Sequence, residues 1–155
     1  MRAMEELVDR GMVRYIGVSN FSVGQLQDAQ TAMSKYPIVC NQVLYNLKRR
    51  GIERDLIPYC EEQGITVMAY TPLADGSLAV RPRARAGRNW EALQDVAREA
   101  GKTPAQVALN WCLSRSPVVV IPKTNSVART EENCGASGWR LTPSQVQRLE
   151  AAFPL

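Results

Sequence analysis

Val118-Val119-Val120-Ile121-Pro122-Lys123-Thr124-Asn125-Ser126-Val127-Ala128-Arg129-Thr130-Glu131-Glu132-Asn133 is the stretch that decides the fold. Four β-branched residues between Pro117 and Pro122 predict a short strand buried on both faces, as in a parallel sheet. Pro122 has no N–H and ends the ladder. A polar turn follows, and Ser126 is placed to N-cap a helix running through Asn133. A strand, a polar turn and a helix N-terminus together present free backbone N–H groups to an anion. Lys123 stands just before that helix and Arg129 in its first turn, where the macrodipole disfavours cations unless an anion lies between. Arg129, Glu132 and Asn133 fall at i, i+3 and i+4 and so share a helix face. On these residues alone two readings stand side by side: an anion seat, or a solvated basic turn.

Working outward, helix and strand alternate. Met4 to Arg10 reads as a helix ending at Gly11, and Val13 to Val18 as a strand closed by Ser19-Asn20. Gly24 to Lys35 is helical, with Leu26, Ala29 and Met33 on one face, and Ile38 to Tyr45 is the second strand. Glu53 to Gln63 is a helix whose middle Pro58 should strain; Ile65 to Tyr70 is the third strand. Helices over Asn89–Ala100 and Thr103–Arg115 precede the fourth strand, and a final helix starts at Thr142-Pro143. Thr103 and Pro104 form the favoured N-cap and N1 pair. Strands separated by helices predict βαβ units, right-handed crossovers and a parallel sheet within one domain over residues 1–155.

The composition bounds the function. With 155 residues, 45% hydrophobic and 22% charged, the chain is long and apolar enough for a globular core, and no apolar run reaches membrane-spanning length. A formal charge of +4 suits a phosphorylated ligand but is too small to indicate nucleic acid. The absence of histidine removes the commonest general acid/base and the usual zinc ligand. Cys40, Cys60, Cys112 and Cys134 lack metal spacing and are expected to be buried, reduced thiols in a cytoplasmic protein. The Gly76–Arg88 loop holds Arg81, Arg83, Arg85 and Arg88 without interleaved aromatics, which suits a solvated mobile loop over a lid or a nucleic-acid patch.

Polar residues that interrupt the pattern gather at the C-terminal ends of the strands: Ser19-Asn20, Gln42, Tyr70-Thr71 and Lys123-Thr124. In a parallel sheet these lie along one edge, where ligands bind. Each has a plainer reading: a helix cap for Ser19 and Asn20, a satisfied buried amide for Gln42, a core aromatic with a wet tip for Tyr70. Their coincidence on one edge favours a site.

Ile16-Gly17-Val18-Ser19-Asn20-Phe21, Asn41-Gln42-Val43, Ala69-Tyr70-Thr71-Pro72-Leu73 and Ile121-Pro122-Lys123-Thr124 resemble, in collinear order, motifs of the aldo-keto reductases. Arg129, Glu132, Asn133 and Thr103-Pro104-Ala105-Gln106 with Leu109 and Trp111 add to the resemblance. It implies a (β/α)8-barrel enzyme reducing carbonyls with NADPH. By the same resemblance, Ser19, Asn20 and Gln42 hold the nicotinamide carboxamide and Tyr70 stacks under its ring. Thr71 and Leu73 lie by the pyrophosphate, Lys123, Thr124 and Arg129 take the 2′-phosphate, and Glu132 and Asn133 contact adenine.

The resemblance covers only the barrel's second half, strands five to eight, which implies an α/β fold: a (β/α)4 half of a TIM-type barrel plus a C-terminal helix. The family's Asp, Tyr, Lys and His tetrad lies in the other half, so no catalytic residue carries over, and Leu44 stands where many members have glutamate. The expectation is an NADP(H)-binding half-barrel with reductase activity absent or weak. The alternatives are a working reductase, improvised from Tyr45, Tyr70 or Lys123 in a dimer or completed by an N-terminal half, and a non-catalytic remnant. Bared strand faces and edges imply a homodimer. Met1 resembles an internal methionine of a longer enzyme.

Overall fold

A computed structural model describes residues 1–80 and 87–155, so Arg81, Arg83 and Arg85 of the arginine-rich loop lie outside the described residues. Four parallel strands run in the order β1 (Ile16–Ser19), β2 (Ile38–Leu44), β3 (Thr66–Tyr70) and β4 (Val118–Val120). The register sets Ser19 opposite Gln42, Leu44 opposite Tyr70 and Ala69 opposite Val120, so the C-terminal strand ends line one edge.

The helices are α1 (Arg2–Asp9), α2 (Val23–Thr31), α3 (Leu56–Glu62), α4 (Arg88–Ala100), α5 (Pro104–Leu113), α6 (Val127–Cys134) and α7 (Pro143–Ala152). Their limits follow local chemistry. Arg10 is the C-cap of α1, and Gly11, at φ +67°, turns the chain away. Gly11 N–H then bonds Val8 O and Met12 N–H bonds Leu7 O, the Schellman pattern. Ser22 and Gln25 start α2 with a capping box, as Thr103 and Gln106 start α5 and Thr142 and Gln145 start α7. The segment expected to be one helix from Glu53 is instead a 3-10 turn over Gly51–Glu53 followed by α3, capped by Asp55. Pro58 therefore falls in the first turn of α3, where its missing N–H leaves no ladder bond unmade, and it does not strain the helix.

Period-two alternation decides which strand face is covered. Ile16, Val43, Val67, Ala69 and Val118 are buried in one core with Leu26 of α2, Leu56 and Ile57 of α3, Leu93 and Val96 of α4, Trp111 of α5 and Leu149 of α7. The opposite face carries Gly17, Cys40, Gln42, Met68 and Val119, all exposed or half-buried. The expectation that Val118 to Ile121 is buried on both faces is thus corrected: Val118 is 6% exposed, Val119 41% and Ile121 40%. α5 packs on one side of β4, and no described element covers the other. Cys60 and Cys112 are buried as expected, but Cys40 is half-buried on the uncovered strand face and Cys134 is exposed on α6; all four are free thiols. No described helix is long and apolar enough to cross a membrane.

A buried charged cluster fastens the C-terminus to this core. Arg50, 6% exposed, donates to both carboxylate oxygens of Glu53 at 2.9 Å and to the carbonyls of Phe153 (2.7 Å) and Glu150 (3.2 Å). Its guanidinium lies 5.3 Å from the centre of the Trp111 ring, which in turn packs 5.3 Å from Tyr45. Glu53 also accepts from the Tyr45 hydroxyl at 2.9 Å and pairs with Arg115 at 3.4 Å. Burial alone would push the Glu53 carboxyl up, but hydrogen bonds from Arg50 and Tyr45 and the charges of Arg50 and Arg115 hold it below its ordinary value.

Candidate functional site

The strand ends place the eleven sequence-predicted residues in two groups along one edge. Ser19, Asn20, Gln42 and Tyr70 form the first. Ser19 Oγ donates to Gln42 O at 3.0 Å and Tyr70 Oη to Asn20 Oδ1 at 3.1 Å, so the ends of β1, β2 and β3 are cross-linked by side chains. Asn20 sits at φ +57°, a left-handed conformation that asparagine tolerates better than most residues. Asn41, fully buried, fixes the following residue: its amide accepts from Phe21 N at 3.3 Å and donates to Phe21 O at 2.8 Å. The plainer reading of Ser19-Asn20 as a helix cap does not describe them, because Ser22 caps α2.

Thr71, Leu73, Lys123, Thr124, Arg129, Glu132 and Asn133 form the second group and line one cavity of ≈ 500 Å³. Two loops build it. The loop after β3 turns sharply, with Thr71, Ala74, Asp75 and Gly76 at φ of +52°, +48°, +54° and +82°. The loop after β4 continues from Ile121, whose N–H still donates to Ala69 O at 3.1 Å before Pro122 ends the ladder. Thr124 Oγ1 then accepts from Ser126 N at 3.1 Å, and Ser126 Oγ caps α6 by accepting from Arg129 N at 3.5 Å. Lys123, Thr124 and Arg129 thus border one space beside the start of α6, bringing two cationic side chains and a hydroxyl together. Ser19, Asn20, Gln42 and Tyr70 do not line this cavity; they continue the edge from Tyr70, which precedes Thr71 in the chain.

α6 is fixed from behind by Gln106. Its Oε1 accepts from Thr103 N at 3.1 Å in the capping box of α5, and its Nε2 donates to Glu132 O at 3.0 Å. The Thr103-Pro104-Ala105-Gln106 run thereby both starts α5 and sets the position of the helix carrying Arg129, Glu132 and Asn133. A Cβ at Gly135 would meet Gln106 Nε2 at 2.5 Å, so a larger residue there would displace the Gln106 side chain from its bond to Glu132 O.

Over residues 1–153 the sequence matches the profile of the Aldo/keto reductase family. The chain belongs to that family. Methylglyoxal reductase YeaE of Escherichia coli is 35% identical over 153 residues, which is 98% of this chain and 52% of that protein. A thermostable aldo-keto reductase solved with the inhibitor epalrestat superposes with a TM-score of 0.88 at 37% identity, over 97% of this chain and 53% of the other. An aldo/keto reductase from Klebsiella pneumoniae, solved in complex with NADP and acetate, gives 0.86 at 35% identity, over 99% and 53%. This chain spans about half the length of the curated relatives it matches, 52% and 49% of two of them. Its four parallel strands and their helices are half of an aldo/keto reductase TIM-type barrel.

Sequence reasoning did not single out Asp75, which lines the cavity, although the Asp75-Gly76 pair is a turn signal that could have found it. The sequence also puts forward Tyr45, with Tyr70 and Lys123, as a residue from which a dimer could improvise a reductase. Tyr45 is wholly buried, bonded to Glu53 and packed on Trp111; burial first, then the Glu53 charge, push its hydroxyl far above its ordinary value. It is a core residue and does not line the cavity of Lys123 and Arg129.

Proposed function

We propose that this aldo/keto reductase half-barrel binds NADP(H) along the C-terminal strand edge. The observation that supports it is the ≈ 500 Å³ cavity shared by Lys123, Thr124 and Arg129 at the N-terminus of α6, continued by Tyr70, Asn20 and Ser19. The residues fit the group. A phosphate ester at the cavity takes two cations and a hydroxyl beside the positive end of the α6 dipole. Glu132 and Asn133 offer an acceptor and an amide to a base, and the Tyr70 ring, held by Asn20, offers a flat platform. Ser19, Asn20 and Gln42 would orient the nicotinamide amide. Bound NADPH supplies a hydride for carbonyl reduction.

Reduction also needs an acid to protonate the forming alkoxide. The chain has no histidine, and Tyr45 is sealed in the core, so we propose that the family's catalytic tetrad is not provided by these residues and that turnover by this chain alone is absent or weak. A second reading is a working reductase in which Tyr70 or Lys123 stands in as that acid once another half-barrel covers the strand face of Gly17, Cys40, Gln42, Met68 and Val119. We assign that place to a second copy. A two-fold axis along the strand direction sets β4 of one copy beside β1 of the other in parallel, closing eight strands without a free edge. Sedimentation of a dimer supports this, and a sharply monomeric species that binds no apolar dye removes it. A cytoplasmic location suits four unpaired thiols.

Arg129→Ala tests the cofactor reading. It removes a charge-assisted contact to the 2′-phosphate, so NADPH should weaken about ten- to a hundredfold and NADH little. Equal losses for both cofactors would assign Arg129 no phosphate.

A further inference from the structure

The loop that joins the two groups is strained. Threonine is β-branched, and at φ +52° Thr71 occupies a region such residues avoid; Ala74 and Asp75 are left-handed as well. Such a turn persists only where its surroundings over-determine it. Part of the restraint is internal: Ala74 N–H donates to Thr71 O at 3.0 Å and Ser77 N–H to Ala74 O at 3.0 Å. Further restraint comes from a second turn, none of whose residues lines the cavity.

That second turn follows β2. Asn46 is 1% exposed, and its Nδ2 donates to Thr71 O at 2.9 Å while its Oδ1 accepts from Lys48 N at 2.9 Å. Its backbone pairs both ways with Arg49. Lys48 Nζ reaches the far end of the strained loop and donates to Ser77 Oγ at 2.8 Å, and Ser77 Oγ donates to Ala74 O at 2.6 Å. The next residue, Arg50, is locked into the core by Glu53 and the Phe153 carbonyl. The 46–49 turn is therefore a rigid bracket with one contact at each end of the 71–77 loop.

We infer that Asn46 and Lys48 are positioning residues: they hold the left-handed 71–77 loop in the shape that lines the cavity and connects it to Tyr70. Within its own turn the Asn46 side chain is used only as an acceptor, through Oδ1 to Lys48 N, which an aspartate would serve equally; the amide donor is explained by the Thr71 carbonyl 25 residues away. The consequence for ligand affinity rests on the NADP(H) reading above. The consequence for the loop itself does not.

The test uses the full chain with three variants. Asn46→Asp keeps the acceptor for Lys48 N and removes the donor to Thr71. Lys48→Met keeps the methylene stem of an exposed side chain and removes the tether to Ser77, with Lys48→Arg as its conservative rescue. Asn110→Asp is the control, because the Asn110 amide is equally buried and donates to the carbonyls of Ala136 and Trp139, away from the loop. Amide exchange is followed at Ala74, Ser77 and Leu78 against Val67 in the sheet, together with NADPH titration by fluorescence.

Asn46→Asp should speed exchange at the three loop amides about tenfold with Val67 unchanged, the size of one lost buried hydrogen bond. Lys48→Met should do so by about threefold, with Lys48→Arg near wild type. NADPH affinity should fall in the same order, while Asn110→Asp lowers exchange protection everywhere and leaves affinity in place. Loop amides that exchange no faster in Asn46→Asp and Lys48→Met, or only in step with Val67, overturn the inference. A wild-type chain that takes up no NADPH removes the cofactor reading instead, and the exchange pattern then decides this one alone.

Discussion

Replacing Arg50 by alanine should be the most destabilising single change among the charged residues. Arg50 makes two bonds to the Glu53 carboxylate, one each to the Phe153 and Glu150 carbonyls, and stacks on Trp111. Its removal leaves a carboxylate whose side chain is only 10% exposed with the Tyr45 hydroxyl and a long contact to Arg115. Stranding one partner of a buried pair costs ~3–5 kcal/mol. Arg115, 36% exposed, pairs with the same Glu53 and with Glu150, and its alanine variant should cost about 1 kcal/mol or less. Urea denaturation followed by tryptophan fluorescence reads both values, since Trp111 lies in the cluster. Replacing Arg50 by methionine and Glu53 by leucine together should recover part of the loss, because no unpaired charge then remains buried. An Arg50→Ala cost no larger than that of Arg115→Ala would refute the claim that this cluster holds the C-terminal helix to the core.

Two further outcomes follow from the same structure. Glu53 is held below its ordinary carboxyl value of 4.5, so the unfolded chain binds its proton first; the stabilisation is complete above that value and is lost as pH falls through the lower folded value. Urea midpoints should therefore drop below about pH 4.5, and less steeply in the doubly apolar variant at Arg50 and Glu53. Among the thiols, exposed Cys134 should react first with a disulfide reagent. Buried Cys60, its thiol pushed up to about 11, and Cys112, raised further, should stay silent until the chain unfolds. Fast labelling of Cys112 in the native chain would contradict its packing.

The β/α alternation was legible because the strands are short apolar runs and α2, α3, α5, α6 and α7 each begin at a capping side chain. Thr103-Pro104 and Thr142-Pro143 cap their helices as read. Val118 to Ile121 was legible as a strand but not in its burial, because an apolar run does not reveal whether a second layer covers it. Glu53 to Gln63 read as one helix because periodicity continues across the break, whereas the Asp55 cap and Pro58 place the start at Leu56. At the site, Lys123, Thr124, Arg129, Glu132 and Asn133 share a cavity because they flank one strand–helix junction, a local feature. Asn46 and Arg50 were not legible at all. Their partners, Thr71 and Phe153, lie 25 and 103 residues away, and no pattern within a turn announces such a bond. Tyr45 misled for the same reason, since only the fold brings Trp111 and Glu53 around it.

The most direct test of the cofactor reading is a fluorescence titration of the purified chain with NADPH and, in parallel, NADH, with sedimentation on the same sample. Saturable binding of one cofactor per chain is expected, tighter for NADPH if Lys123, Thr124 and Arg129 take its 2′-phosphate as proposed. A well-folded chain that binds neither cofactor, or both alike, would contradict it.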